Sequence, residues 1–249
     1  MSGDWPQGYA HLALGEVGST LDEAARRFAD LTGPTWITAT RQTAARGRRG
    51  RAWANPAGSF AATLVLPPDD PERAALRSFV AALALHEAFV GLTGRPDAFA
   101  LKWPNDVLLN GGKVAGILLE SLIAGGNLAG LAIGIGVNLA AAPAPETLEA
   151  GAVRPVSLAS ETGVAVTPGE LLDVLAPAFA HWDRQFTTLG FGPVRTAWLA
   201  HAARLGETIT ARLPAEAVSG VFREVDEQGQ LVLSTPRGLR RIAAGDIFF

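Results

Sequence analysis

Residues 107–137 carry three apolar runs separated by two glycine turns. Runs 107–109 and 114–120 flank Asn110-Gly111-Gly112, and Gly125-Gly126-Asn127 leads into run 128–137. Asn and Gly accept the left-handed backbone that tight hairpin turns require. Parallel pairing would need a crossover of a dozen or more residues, so runs joined this closely form neighbouring antiparallel strands. An antiparallel sheet is therefore expected at the centre of the chain.

The surrounding segments read as helices and further strands. Residues 19–32 place Leu21, Ala24, Ala25, Phe28 and Leu31 at helical spacing, and Thr20 with Glu23 fits a capping box. Residues 35–40 and 60–66 read as strands. Pro71 opens a long apolar helix to about Thr93. A loop with Pro143, Pro145 and Pro155 precedes a helix over 170–189, which Pro177 is expected to kink or break. A further helix covers about 194–204. After Gly206 the texture changes to short strands at 208–213, 218–225, 231–234 and 239–242. The expectation is an α+β fold. A mixed or antiparallel sheet flanked by helices spans 1–204, and a small β-barrel spans 205–249.

Composition removes several classes of function. With no cysteine among the 249 residues, disulfides, thiolate metal sites and cysteine nucleophiles are excluded. The four histidines, at 11, 86, 181 and 201, show no metal spacing. Hydrophobic residues make up 48% of the chain, enough to fill a core. The N-terminus has no secretory signal pattern, and the apolar stretch 128–142 is too short and too rich in glycine to span a membrane. A soluble cytoplasmic protein is expected.

Charge is concentrated in one place. Arg41, Arg46, Arg48, Arg49 and Arg51 crowd the segment RQTAARGRRGRAW at 41–53, although the formal net charge of the chain is −3. Gly47 and Gly50 interleave the arginines. Glycine lets the backbone approach a ligand, and the guanidinium fork grips phosphate or carboxylate. A solvated basic loop and a nucleic-acid patch are the alternatives. The position between two strand-like runs and the lack of a matching basic face elsewhere favour a loop that closes on a small anion.

Arginine is the habitual cation here: nineteen of the 21 basic residues are Arg, and the two lysines are Lys102 and Lys113. Both fall in 101–121. A lysine kept against that habit suggests a compact ammonium in a confined site.

QTAARGRRGRAW, KWPNDVLLNGGKVAGILLE and IGIGVN, in this order and spacing, resemble the biotin protein ligases. Ser19-Thr20 also matches a Ser-Thr pair in that family, and the terminal strands resemble its SH3-like C-terminal domain. Two positions depart from the pattern: Ala45 stands where the family has Gly, and Leu21 where it has Asn. Some relatives carry an N-terminal DNA-binding domain, for which this chain leaves no room, so a ligase without DNA binding is expected.

The resemblance implies two steps: ATP and biotin give biotinyl-5′-AMP, and a lysine of a biotin carrier domain then takes the biotinyl group. It implies Lys113, Arg46 and Arg48 as catalytic residues. Ser19, Thr20, Gln42, Gly47 and Gly116 join them around biotin. Arg48, Arg49, Arg51, Trp53, Lys102, Asn105 and Asn138 surround ATP. Asp106 is a candidate Mg²⁺ ligand, or a structural turn residue. Trp103 and Pro104 shape the pocket, and Gly134 and Gly136 allow close approach to the sheet. A homodimer is a further expectation. A lipoate or octanoate ligase, a non-catalytic nucleotide-binding module and a DNA-binding regulator are the other readings.

Overall fold

The computed structural model describes residues 4–68, 70–144 and 153–249; Pro145 of the expected proline loop lies outside them. In chain order the strands are β1 (Ala10–Val17), β2 (Thr35–Gln42), β3 (Phe60–Leu66), β4 (Phe99–Lys102), β5 (Asp106–Leu109), β6 (Gly112–Ala124) and β7 (Asn127–Val137). Those of the C-terminal unit are β8 (Thr208–Arg212), β9 (Ala217–Val225), β10 (Leu231–Thr235), β11 (Gly238–Ile242) and β12 (Asp246–Phe248). The helices are α1 (Thr20–Arg27), α2 (Pro71–Thr93), α3 (Leu158–Thr162), α4 (Pro168–Leu189) and α5 (Phe191–Ala200).

The glycine turns do what their chemistry predicts. Asn110 and Gly111 have φ of 49° and 77°, and Gly125 and Gly126 have 57° and 82°. The strands they join pair antiparallel within a seven-stranded sheet of order β1-β2-β3-β7-β6-β5-β4. β1 and β2 are parallel, so the sheet is mixed.

One face of the sheet carries α2 and α4, with Trp36, Phe60, Leu64, Leu131, Ile133 and Phe179 in a single buried core. The other face carries α1, which buries Leu21 and Ala24 against Ile37, Val65 and Ala132. Helix α2 is long and apolar enough to cross a membrane, but 67% of its apolar window is buried in the fold, so it reads as a core helix.

Several boundaries differ from those expected. Helix α1 stops at Arg27 and continues as a 3-10 turn, Phe28–Asp30. Its cap is Ser19, whose Oγ accepts the Leu21 N–H at 3.2 Å, and not Thr20. Glu23 closes no capping box; it pairs with Arg26 and Arg27 one turn along the helix. Helix α4 starts at Pro168 behind a Thr167–Glu170 capping box and runs unbroken through Pro177. It packs along α2, and that burial holds it together where proline removes one hydrogen bond. Helix α5 ends at Ala200, short of 204. Strand β4, strand β12 and helix α3 are too short to announce themselves by periodicity.

The C-terminal unit is a five-stranded antiparallel sheet of order β11-β10-β9-β8-β12. It shares the main core: Phe222, Val225 and Leu231 are buried in the same cluster as Phe79 and Trp198. The Trp103 indole donates to the Gly229 carbonyl at 2.9 Å. A methyl group on Gly229 would come within 2.8 Å of Leu76, and its φ is 76°, so glycine is needed there twice over. Arg195 of α5 pairs with Glu224 at 2.6 Å. These contacts dock the C-terminal sheet, with β12 at its edge, against the rest of the chain.

Candidate active site

A cleft of about 520 Å³, the size of a small-molecule site, opens where α1, the 41–53 loop, the β4–β7 strands and β12 meet. Ser19, Thr20, Gln42, Arg46, Gly47, Arg48, Arg51, Trp53, Lys102, Asn105, Asp106, Lys113, Gly116 and Asn138 all line it. Of the residues singled out from sequence, Arg41, Arg49 and Trp103 do not: Arg41 pairs with Glu16 at 2.8 Å, the Arg49 guanidinium turns to Asp246 at 2.7 Å, and Trp103 turns to the Gly229 carbonyl while its neighbour Pro104 lines the cleft.

The cleft contains a buried charge cluster. Register puts Lys102 opposite Asp106 across β4 and β5. From the Asn110-Gly111 turn the β5–β6 register pairs Leu109 with Gly112 and Leu108 with Lys113, and a shift between Val107 and Leu108 then sets Gly116 opposite Asp106. Opposed residues share a face, and Leu108 and Asp106 lie on one face of β5, so Lys113 falls on the face of Asp106. Lys113 Nζ lies 2.6 Å from Asp106 Oδ1, and Lys102 Nζ lies 3.6 Å from Oδ2. Burial alone would raise the Asp106 pKa, but Lys113, Lys102 and Arg48 outweigh it and hold the carboxyl below its ordinary range. Burial pulls Lys102 below the ordinary lysine value, opposed by Asp106.

One wall is polar and neutral. The Gln42 Oε1 accepts the Thr20 N–H at 2.8 Å and the Thr20 hydroxyl at 3.1 Å. Thr63 on β3 donates its hydroxyl to Thr20 Oγ1 at 2.8 Å. These bonds fix the Gln42 amide so that its NH₂ group is the part left to meet a ligand.

The arginine loop is tied shut on itself. The Gly47 N–H donates to the Arg51 carbonyl at 2.7 Å and the Trp53 N–H to the Ala45 carbonyl at 2.9 Å. Arg46 grips Glu120 with Nε and Nη2 at 2.9 and 2.8 Å and Asp22 with Nη1 at 2.7 Å. The Glu120 hydrogen bond raises the Arg46 pKa, whereas burial lowers that of Arg48. Left-handed backbone falls on Arg49 (φ 57°) and Gly50 (φ 70°), not on Ala45, so the Gly-to-Ala departure costs no backbone strain. Gly47 is extended, with φ −107° and ψ −167°.

Trp53 sits on the sheet. A methyl on Gly136 would fall 2.7 Å from its indole, and one on Gly116 would fall 2.9 Å away. The two glycines therefore form a seat for Trp53, and Lys113 Nζ lies 5.2 Å from the ring centroid. Gly134 has a comparable reason: a methyl there would fall 3.0 Å from Leu21, which replaces the family's asparagine with apolar packing. Asn138 donates its amide to the Val156 carbonyl at 3.1 Å and keeps a buried Oδ1 with no partner. Asn105 instead spends its amide on the Ile117 carbonyl at 2.5 Å.

Asp106, the candidate Mg²⁺ ligand, is paired with two ammonium groups, and no group of three His, Asp or Glu side chains able to hold a metal occurs among the described residues.

The residues that sequence reasoning missed are partners and not ligands. Glu120 and Asp22 hold Arg46, and Asp246 holds Arg48, Arg49 and Arg51 at 3.8, 2.7 and 3.1 Å. Five arginines in an acidic chain signal that counter-charges exist, but no spacing says which ones.

Residues 15–138 match the Biotin/lipoate A/B protein ligase family, and residues 205–249 match the Biotin protein ligase C terminal domain. The biotin–[acetyl-CoA-carboxylase] ligase of Paracoccus denitrificans is 54% identical over 238 residues, covering 95% of this chain and 99% of that protein. The chain belongs to the biotin protein ligase family. The bifunctional ligase/repressor BirA of Bacillus subtilis is 30% identical, over 95% of this chain and 73% of that protein. The biotin protein ligase from Aquifex aeolicus, solved in complex with biotin and ATP, superposes with a TM-score of 0.82 at 26% identity, covering 97% and 98% of the two chains. The ligase's two matched segments meet at the cleft: the first ends at Asn138, and the second supplies Asp246.

Proposed function

We propose that this ligase activates biotin with ATP and transfers it to a lysine of a biotin carrier domain of a carboxylase. A biotin carboxylate oxygen attacks the α-phosphorus of ATP, forming the mixed anhydride biotinyl-5′-AMP as pyrophosphate leaves. The carrier amine then attacks the biotinyl carbonyl, forming an amide as AMP leaves and the amine loses a proton.

The observation that carries this reading is the meeting of the Lys102–Asp106–Lys113 cluster with the arginine loop and the Ser19–Thr20–Gln42 wall in one cleft. Two anions that repel must be brought together, and one unit-charge pair at ~4 Å is worth ~4 kcal/mol at an effective dielectric of ~20. Fixed cations supply that stabilisation without reorganising during the step. Lys113 bridges the attacking carboxylate and the α-phosphate. Asp106 fixes the position of that ammonium and keeps the two lysines from repelling each other. Lys102, Arg48 and Arg51 meet the phosphates. Arg46 holds the loop through Glu120 and Asp22 and adds its positive charge beside the biotin carboxylate. The Gln42 amide, with Ser19 and Thr20, reads the neutral ureido ring. Trp53 on its glycine seat closes the cleft over Lys113 and Gly116. The unpartnered Asn138 Oδ1 is an acceptor for the adenine amino group. Mg²⁺ enters as the counter-ion of ATP; the described residues form no cage for it, and no step is assigned to it.

Every arginine of the 41–51 segment has an acidic partner, Arg41 pairing with Glu16 at 2.8 Å. That pairing screens the segment and disfavours its use as a face for duplex DNA. The test is pyrophosphate release with ATP, Mg²⁺ and biotin beside lipoate and octanoate, followed by addition of a carrier domain. Biotin-dependent release and a mass gain of one biotinyl group on the carrier are expected. Release with lipoate or octanoate alone would keep the fold and replace the substrate.

A further inference from the structure

Strand β12 carries a carboxylate that the reaction chemistry does not call for. Asp246 pairs with Arg212 of β8 in the sheet register, and its side chain is 16% exposed. It reaches back across the cleft to a loop 195 residues earlier in the chain. Its Oδ2 lies 2.7 Å from Arg49 Nη1 and 3.1 Å from Arg51 Nη2, and its Oδ1 lies 3.8 Å from Arg48 Nη1. The preceding carbonyl, Gly245 O, accepts from Arg48 Nη1 at 3.2 Å.

We propose that Asp246 is a positioning residue that holds Arg48 and Arg51 together as a polyphosphate-binding pair and, with Arg49 as its tether, latches their loop over the cleft. Three guanidinium groups within four residues repel, and a loop rich in glycine has many conformations in which they separate. One partly buried carboxylate removes that penalty while leaving an excess of positive charge for the nucleotide. Arg49 supports this directly. Its left-handed backbone, φ 57°, is one that an L-residue adopts rarely, and in that conformation its guanidinium reaches Asp246.

The anchor is itself held in place. Ile247, the next residue, is buried, and a methyl on Gly245 would fall 3.1 Å from Leu213, so β12 lies close against its neighbours. The C-terminal sheet is in turn docked through Trp103, Gly229, Arg195 and Glu224. Asp246 therefore transmits the position of that sheet to the loop. The latch stands on these contacts alone; its benefit to ATP rests on the proposed function.

Asp246→Asn tests both halves separately. Trypsin cleaves after arginine, so cleavage within 46–51 reports loop opening without any appeal to activity. With folding checked by Tm, cleavage of the variant is expected to be about tenfold faster than wild type. The KM for ATP should rise about tenfold while that for biotin changes less than about twofold, a split that general loosening of the fold would not give. Unchanged cleavage in folded Asp246→Asn overturns the latch. Faster cleavage with an unchanged KM for ATP keeps the latch and removes these arginines from the phosphate site. Should Asp246→Asn fail to fold, Arg49→Gln with Arg51→Gln breaks the same contacts from the exposed side. Faster cleavage after Arg46 and Arg48 in that double variant then supports the latch, and unchanged cleavage overturns it.

Discussion

Lys113 Nζ lies 2.6 Å from Asp106 Oδ1, so the compact ammonium of the cleft is held by a buried carboxylate. That pairing fixes the place of the charge on which the proposed adenylate formation turns. Lys113→Ala should lower the rate of biotin-dependent pyrophosphate release by about 10²-fold or more, as removal of one transition-state donor does elsewhere. Lys113→Arg should also fail, because a planar fork does not occupy the place of a compact ammonium beside a buried carboxylate. Both variants should fold. A near-normal rate for Lys113→Ala would remove the residue from the chemistry.

The Trp53 seat makes a second, geometric prediction. Gly136→Ala puts a methyl 2.7 Å from the indole, so the ring must move. A loss of about 1–3 kcal/mol of stability is expected from overpacking, together with weaker substrate binding. Trp53→Ala in the same chain should restore most of that stability but not the binding. Unfolding curves for the two single variants and the double variant give the coupling, and strict additivity would contradict the seat.

Gln42 is expected to act on biotin alone. Its Oε1 is spent on Thr20, so Gln42→Ala removes both a ligand donor and the brace of the α1 N-terminus. The KM for biotin should rise about 10-fold or more with a smaller change for ATP, since a site built for hydrogen bonds loses heavily when one partner is missing. Isothermal titration with each substrate separates the two effects.

His86 sets an acid limit on stability. It is buried on α2, its ring stacks on His201 at 3.9 Å, and burial followed by His201 pushes its pKa down from 6.5 to about 4. The unfolded chain therefore takes up a proton below about pH 6.5 that the folded protein refuses until about pH 4. Stability should fall as pH drops through that window, by up to about 3 kcal/mol. Denaturation midpoints between about pH 7 and about pH 4.5 check this, and His86→Leu should flatten the decline. An equal decline in the variant would assign it to other groups.

Much of the site was legible because its residue types are unusual in this chain. Two lysines among nineteen arginines, and five arginines in one short segment, marked the charged residues of the site: the fold brings Lys102, Lys113, Arg46, Arg48 and Arg51 into one cleft and leaves Arg41 and Arg49 outside it. The hairpin turns were legible because Asn110, Gly111, Gly125 and Gly126 carry the left-handed backbone that their types favour. Short elements such as β4 and β12 were not, since three or four residues carry no period to read.

Local chemistry is written in the order of the residues: the turns, the long helices, the lack of thiol chemistry and the choice of cations all follow from it. Which anion each cation meets depends on how the two sheets pack. Pairing of β5 with β4 and with β6 set Lys102 and Lys113 beside Asp106, and Asp246 was carried across the cleft to the arginine loop by a sheet docked through Trp103 and Gly229. Charge pairing depends on distance in space, and separations of 74 and 195 residues along the chain hold no information about it until the sheets are packed.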